Sequence, residues 1–254
     1  MHHASDRYHD DAHELEGFLA YDDSTPARRP AVLIFHQWAG LGEFEQSKAR
    51  MLAGLDMVGF AVDMYGKGRR GGSPAENSAL MTPLLEDRAL LRRRTEAAIA
   101  RVRSLPMVDP DRIGAIGFCF GGLCAFDLAR YGVAGVRGCV GFHGLFAPLD
   151  AKVQRAPKMH TKVLAVHGWN DPMVRPDSVQ AFAKELSGHG ADWQIHALGG
   201  CGHAFTNPAA QDPTGGMQYS PLADERSFAL MRGFFREVFG PRYEAKVTEC
   251  PWVG

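Results

Sequence analysis

The sequence has no apolar run approaching the ~18 residues that a membrane-spanning helix needs. Its first thirteen residues are polar and rich in His and Asp. They lack the apolar stretch of a secretory signal. Charge of one sign is also missing: the formal net charge is −1, which leaves no electrostatic footprint for nucleic acid or an anionic membrane. Cysteine is sparse. The five residues Cys119, Cys124, Cys139, Cys201 and Cys250 are odd in number and in no paired spacing. That argues against a disulfide framework and for free thiols in a reducing cytoplasm. Cys201 stands near His203, but no ligand quartet at zinc spacing accompanies them, so no metal is expected. Internal repeats and composition breaks are absent as well. What is present is an ordinary globular composition, 45% hydrophobic and 22% charged over 254 residues, long enough for a large core.

These bounds lead to one expected domain over 13–240, with 1–12 and 241–254 as tails. His9 and His13 are four apart, yet no other ligand surrounds them, and the segment reads as a solvated end. Alternation over 13–21 predicts an edge strand. The short apolar run at 31–35 predicts a strand covered on both faces, and 60–64, 136–142, 163–167 and 193–198 predict further strands. Between them lie helical patterns over about 44–58, 84–104, 176–186 and 222–239, and the helix that follows Cys119. The Arg92-Arg93-Arg94 run reads as a solvated helix face, and residues 204–221 as irregular. His167 and His196 fall within strands and read as core or face residues. Strand and helix alternate throughout, which predicts a doubly wound, mostly parallel sheet with helices on both faces. In such sheets function gathers at the loops beyond the carboxyl ends of the strands.

One of those loops has an unusual construction. The run Ile113 to Phe118 ends in Gly117-Phe118-Cys119-Phe120-Gly121-Gly122, and an amphipathic pattern (Leu123, Phe126, Leu128) follows at once. This is the layout of a nucleophile elbow with cysteine as the nucleophile. The flanking glycines suit a turn whose backbone passes close to its neighbours. The helix N-terminus would favour a thiolate. A cysteine nucleophile needs a base, and the base needs an orienting acid. Asp171 and His203 follow predicted strands in the order nucleophile, acid, histidine, the order expected of an α/β-hydrolase sheet. Oxyanion donors are expected from the backbone N–H groups of Phe120 and Trp38.

The motifs Gly-Phe-Cys-Phe-Gly-Gly at 117–122, His-Gly-Trp-Asn-Asp-Pro at 167–172 and Gly-His-Ala-Phe at 202–205 resemble the dienelactone hydrolase family. So do Phe-Ala-Val-Asp-Met-Tyr-Gly at 60–66 and Phe-His-Gln-Trp-Ala-Gly at 35–40. The resemblance spans roughly 13–239. It implies an α/β-hydrolase fold, a triad at positions 119, 171 and 203, and cofactor-free hydrolysis of esters or lactones through an acyl-cysteine. Two departures stand out. The position of Gln37 is usually glutamate in that family, where the carboxylate helps to deprotonate the thiol. Glutamine cannot accept that proton at neutral pH, so activation falls to His203 and the helix dipole, with a resting thiolate–imidazolium pair. Family members that prefer a carboxylate-bearing lactone hold it with arginines. Here one of those positions is Asn207, and the loop that carries the other has Lys67, with Arg69 and Arg70 nearby.

Trp38, Phe118, Phe120, Phe142, Phe146 and Phe205 suggest an apolar pocket, with core packing as the alternative for each. The expected activity is therefore cleavage of a small-molecule ester or lactone, by a monomer or homodimer, without nucleic acid or membrane as partner. The alternatives are a thioesterase or peptidase with the same triad, or a non-catalytic binding or redox-sensing module on this fold.

Overall fold

The computed structural model describes residues 1–11 and 13–240. The expected C-terminal tail at 241–254 lies outside the described residues. Among the described residues ten strands and six helices run in the order β1 (His2–Asp10), β2 (His13–Tyr21), β3 (Arg29–Phe35), α1 (Glu43–Gly54), β4 (Val58–Val62), α2 (Pro74–Glu86), α3 (Arg88–Arg103), β5 (Val108–Phe118), α4 (Phe120–Tyr131), β6 (Val136–Phe142), β7 (Lys162–Gly168), α5 (Pro176–Gly188), β8 (Trp193–Leu198), β9 (Gln211–Asp212), β10 (Met217–Gln218) and α6 (Pro221–Phe239). Eight strands form one sheet in the order β1-β2-β4-β3-β5-β6-β7-β8. The two at the N-terminal edge are antiparallel and the rest parallel. Among the described residues no helix is long and apolar enough to cross a membrane.

The alternation of side chains along each strand divides the core in two. Leu33 and Phe35 of β3 face the layer built from α3, α4 and α5, where Leu91, Leu123 and Phe182 are buried. Val32 and Ile34 face α1 and α6, meeting Leu52, Phe228 and Phe235. Both faces are therefore covered, which is why these strands read as continuous apolar runs. β3, β5, β6 and β7 all end on one edge of the sheet, and the loops that follow them converge there.

Several expectations need correction. Most of the expected N-terminal tail is a strand: β1, His2–Asp10, pairs with β2 along its whole length. The strand is polar because its partners are. Asp6 binds Arg101 through two hydrogen bonds of 2.6 and 2.7 Å. Asp10 faces Arg93 and Arg94. The buried Tyr8 hydroxyl donates to the Asp63 carbonyl at 2.8 Å and accepts the Asp63 N–H at 3.1 Å.

The arginine run is a solvated face only in part, since Arg94 is buried and donates to the Met64 carbonyl. The single helix expected over 84–104 is two. Ser73 caps the first, which begins in what read as a loop, and Asp87 caps the second by accepting the Leu90 N–H at 2.9 Å. α1 ends at Gly54, short of the expected 58, and residues 211–218 hold a small ribbon.

Candidate active site

Cys119 sits between the end of β5 and the start of α4 with φ 56° and ψ −117°. A non-glycine residue in that region is strained, and such strain persists only where the surroundings enforce it. Here they do. A Cβ on Gly117 would lie 1.9 Å from the Gly121 carbonyl oxygen, and one on Gly121 would lie 2.1 Å from the Phe35 carbonyl oxygen. The elbow is thus backbone packed on backbone, against itself and against the end of β3. The Cys119 N–H is shared between the Phe142 carbonyl and Nδ1 of His143, each at 3.1 Å. The thiol itself is half-buried.

The loops after β7 and β8 carry the expected acid and base. His203 Nδ1–H donates to Asp171 Oδ2 at 2.7 Å, and the other carboxylate oxygen accepts the Met173 N–H at 2.8 Å. Both residues are buried. Their loops are packed main chain to main chain: a Cβ on Gly168 would meet the Gly202 carbonyl oxygen at 2.2 Å. The turn between β9 and β10 holds the histidine from behind, with His203 N–H donating to the Gly216 carbonyl at 2.6 Å and accepting at its own carbonyl from Gln218. Burial pulls the His203 pKa down from 6.5, but the electrostatic influence of the neighbouring Cys119 and the hydrogen bond with Asp171 outweigh it and push it up to about 10. With Nδ1 committed to Asp171, the proton at issue is on Nε2.

The loop after β3 is held at several of its polar main-chain atoms. Buried Glu45, on the first turn of α1, accepts the Gln37 N–H at 3.2 Å and the Gly42 N–H at 2.8 Å. Burial raises its pKa. The Tyr65 hydroxyl donates to the Trp38 carbonyl at 2.9 Å. His36 Nδ1–H donates to the Gln37 carbonyl at 2.6 Å, while its Nε2 accepts the Met64 N–H at 3.2 Å. Burial lowers the His36 pKa to about 4, so the ring is neutral at pH 7. The hydrogen bonds among the described residues use neither the Trp38 nor the Phe120 N–H, which leaves both free to donate.

A model of the dienelactone hydrolase family matches residues 15–239. The chain belongs to that family. A protein of Aquifex aeolicus, provisionally named as a carboxymethylenebutenolidase, is 30% identical over 212 residues, 82% of this chain and 87% of its own. A dienelactone hydrolase-like promiscuous phosphotriesterase from metagenomic libraries superposes with a TM-score of 0.88 at 34% identity, covering 93% of this chain and 98% of its own. A solved structure from Klebsiella pneumoniae, at 16% identity and a TM-score of 0.74, shares the fold. This dienelactone hydrolase family member thus has the α/β-hydrolase fold and is an ester or lactone hydrolase.

Within this family member the expected site residues divide. Cys119, Asp171, His203, Trp38, Phe120 and Gln37 lie on the converging loops. Asn207 joins them, its Nδ2 donating to Gln37 Oε1 at 3.2 Å. The cation loop is otherwise engaged. Lys67 pairs with Glu14 on β2 at 3.1 Å, Arg69 donates to the Tyr65 carbonyl at 3.4 Å, and the Arg70 guanidinium lies over Gly42.

The aromatic pocket is smaller than expected. Phe118 and Phe142 stack at 4.9 Å inside the core facing α6, and Phe205 is buried beside them. Phe146 packs on Phe126 and Phe182. Sequence reasoning missed Glu45, Tyr65, His36 and His143. Glu45 left a signal, as an acidic residue three beyond the Gly42 helix cap, and His36 and Tyr65 fall within the motifs at 35–40 and 60–66.

Proposed function

We propose that this chain hydrolyses uncharged carboxylic esters and lactones through an acyl-cysteine at Cys119. The observation that carries the reading is the short Asp171–His203 hydrogen bond beside a cysteine held in a strained elbow. In the resting site Cys119 and His203 form a thiolate–imidazolium pair, which supplies the nucleophile without a carboxylate at position 37. The thiolate attacks the carbonyl carbon, a C–S bond forms, and the carbonyl π electrons move to oxygen. The Phe120 and Trp38 N–H groups receive that oxyanion; removing one such donor typically costs about 100- to 1,000-fold in rate. The C–O bond to the leaving group then breaks as His203 Nε2 gives its proton to the departing oxygen. Neutral His203 next takes a proton from water, the hydroxide adds to the acyl carbon, and collapse expels the Cys119 thiolate. The acid leaves and the ion pair is restored. Asp171 holds the imidazole in the tautomer that both halves require.

The preference for uncharged substrates follows from the lining. Gln37 and Asn207 satisfy each other, and Lys67 is spent on Glu14. The test is p-nitrophenyl acetate hydrolysis by the wild type and by Cys119→Ala, with acid-quenched samples examined for acetyl-Cys119. Release no faster than that of the variant, with no acyl-protein, would sink the reading.

A second substrate class is favoured by the metagenomic neighbour, whose name includes phosphotriesterase. The same thiolate and N–H donors suit attack on a phosphoryl centre. Diethyl p-nitrophenyl phosphate, assayed with the same pair of proteins, tests it.

A further inference from the structure

We infer that His143 is a positioning residue that braces the nucleophile against the base, by joining the elbow to the histidine loop through the two ends of one imidazole. It stands just beyond β6. Nδ1 accepts the N–H of Cys119 at 3.1 Å, and Nε2 lies 2.9 Å from Oγ1 of Thr206. Because Nδ1 accepts, the proton of the neutral ring is on Nε2, and Nε2–H donates to Thr206. Thr206 is three residues past His203 in the same loop. One rigid ring therefore spans the main chain of the nucleophile and the segment carrying the base, and it packs edge-on to the His203 ring at a centroid distance of 5.1 Å.

Three features mark this as a built arrangement. His143 and Thr206 are both fully buried. The His143 main chain is held at φ 39°, a left-handed conformation that costs a non-glycine residue energy. The adjoining Gly144 approaches the third elbow glycine so closely that a Cβ on Gly122 would meet its Cα at 2.5 Å. Burial and the charge of His203 hold the His143 pKa well below 6.5, so the ring stays neutral and Nδ1 stays an acceptor. A protonated ring would turn a second N–H toward the Cys119 N–H and break the brace. His143 touches neither leaving group nor carbonyl. It acts by fixing the separation of the Cys119 sulfur from His203 Nε2, and proton transfer is sensitive to errors of about 1 Å.

The inference rests on the proposed Cys119–His203 chemistry, so its test has a readout independent of ester turnover. The second-order rate of Cys119 alkylation by iodoacetamide is measured against pH for wild type, Thr206→Val, Thr206→Ser, His143→Asn and the double variant His143→Asn/Thr206→Val. Thermal unfolding of each confirms a folded state. Thr206→Val removes only the hydroxyl that takes the Nε2–H. It should slow alkylation at pH 7 by about tenfold and shift the profile toward that of a free thiol near pH 8.5. Thr206→Ser should retain the wild-type profile. His143→Asn keeps an acceptor for the Cys119 N–H but cannot reach Thr206, so adding Thr206→Val to it should change nothing more. If the ester reaction is present, kcat should fall in Thr206→Val while KM stays within about threefold, as expected when only transition-state geometry is lost. A wild-type alkylation profile in folded Thr206→Val, or additive losses in the double variant, overturns the brace. Loss of the ester reaction in the wild type with the alkylation pattern intact would instead fault the proposed function alone.

Discussion

Asn207 and Gln37 are hydrogen-bonded to one another, although 170 residues separate them, and their amides form a neutral pair. In the family resemblance these are positions of an arginine and a glutamate. With an amide at position 207, the site has no guanidinium there to hold an anion. An uncharged lactone should accordingly be cleaved with a kcat/KM at least about tenfold above that of a carboxylate-bearing one of the same ring size. Asn207→Arg should narrow that ratio. Steady-state assays on the two lactones decide it, and a preference for the anion in the wild type contradicts the assignment.

The raised pKa of His203 sets the pH behaviour. A histidine whose folded value lies near 10, against 6.5 unfolded, adds stability that is complete below pH 6.5 and is lost as the pH climbs through 10. The imidazolium therefore survives across the neutral range. Alkylation of Cys119 should be nearly flat from about pH 7 to 9, without the step near 8.5 of a free thiol. Above about pH 8.5, where the unfolded thiol also ionises, the wild type should lose thermal stability relative to Cys119→Ala, which has no such pair to lose.

Gly121→Ala should be a damaging single methyl in the elbow. The added carbon would lie 2.1 Å from the Phe35 carbonyl oxygen and 2.7 Å from that of His36, both main-chain atoms with nowhere to go. The strain should cost about 2–3 kcal/mol in urea unfolding. Because it displaces β3 from the elbow, it should also depress kcat. Gly233→Ala, where nothing lies within 4 Å, is the control.

Beneath the site, Asp127 of α4 is fully buried and receives Arg88 Nε at 2.7 Å and Arg130 Nη1 at 2.8 Å. Arg130 continues to Glu185 on α5 at 2.8 Å. Asp127→Ala leaves two guanidinium groups without their carboxylate and should destabilise the fold by about 3–5 kcal/mol. Denaturant titration measures it. Simultaneous replacement of Asp127, Arg88 and Arg130 by apolar residues of similar volume should recover most of that loss, since the desolvation penalty disappears with the charges.

Much of the site was legible because its signals are local. The glycines around Cys119 answer to atoms a few residues away or on the adjoining strand, and the loop that holds each triad candidate follows an apolar run. The pairing of Lys67 was hidden for the opposite reason. Its partner Glu14 lies 53 residues earlier, on a strand that pairs beside β4, and nothing in the Gly-rich loop announces it. Phe205 was misread because an aromatic next to a catalytic-type histidine looks the same in sequence whether it lines a pocket or, as here, packs against His143 at 5.1 Å inside the core.

By itself the sequence determined the alternating α/β order, the elbow, and the succession Cys119, Asp171, His203. All of these rest on steric and periodic constraints that act within a few residues. Tertiary structure alone decided that the polar N-terminus is a strand, tied at Tyr8 and Asp6 to groups 55 and 95 residues away. It alone decided that Gln37 faces Asn207 and that His143 reaches from Cys119 to Thr206. A buried polar side chain takes whichever partner the fold brings within about 3 Å, and that choice is made by sheet order and loop packing rather than by spacing along the chain.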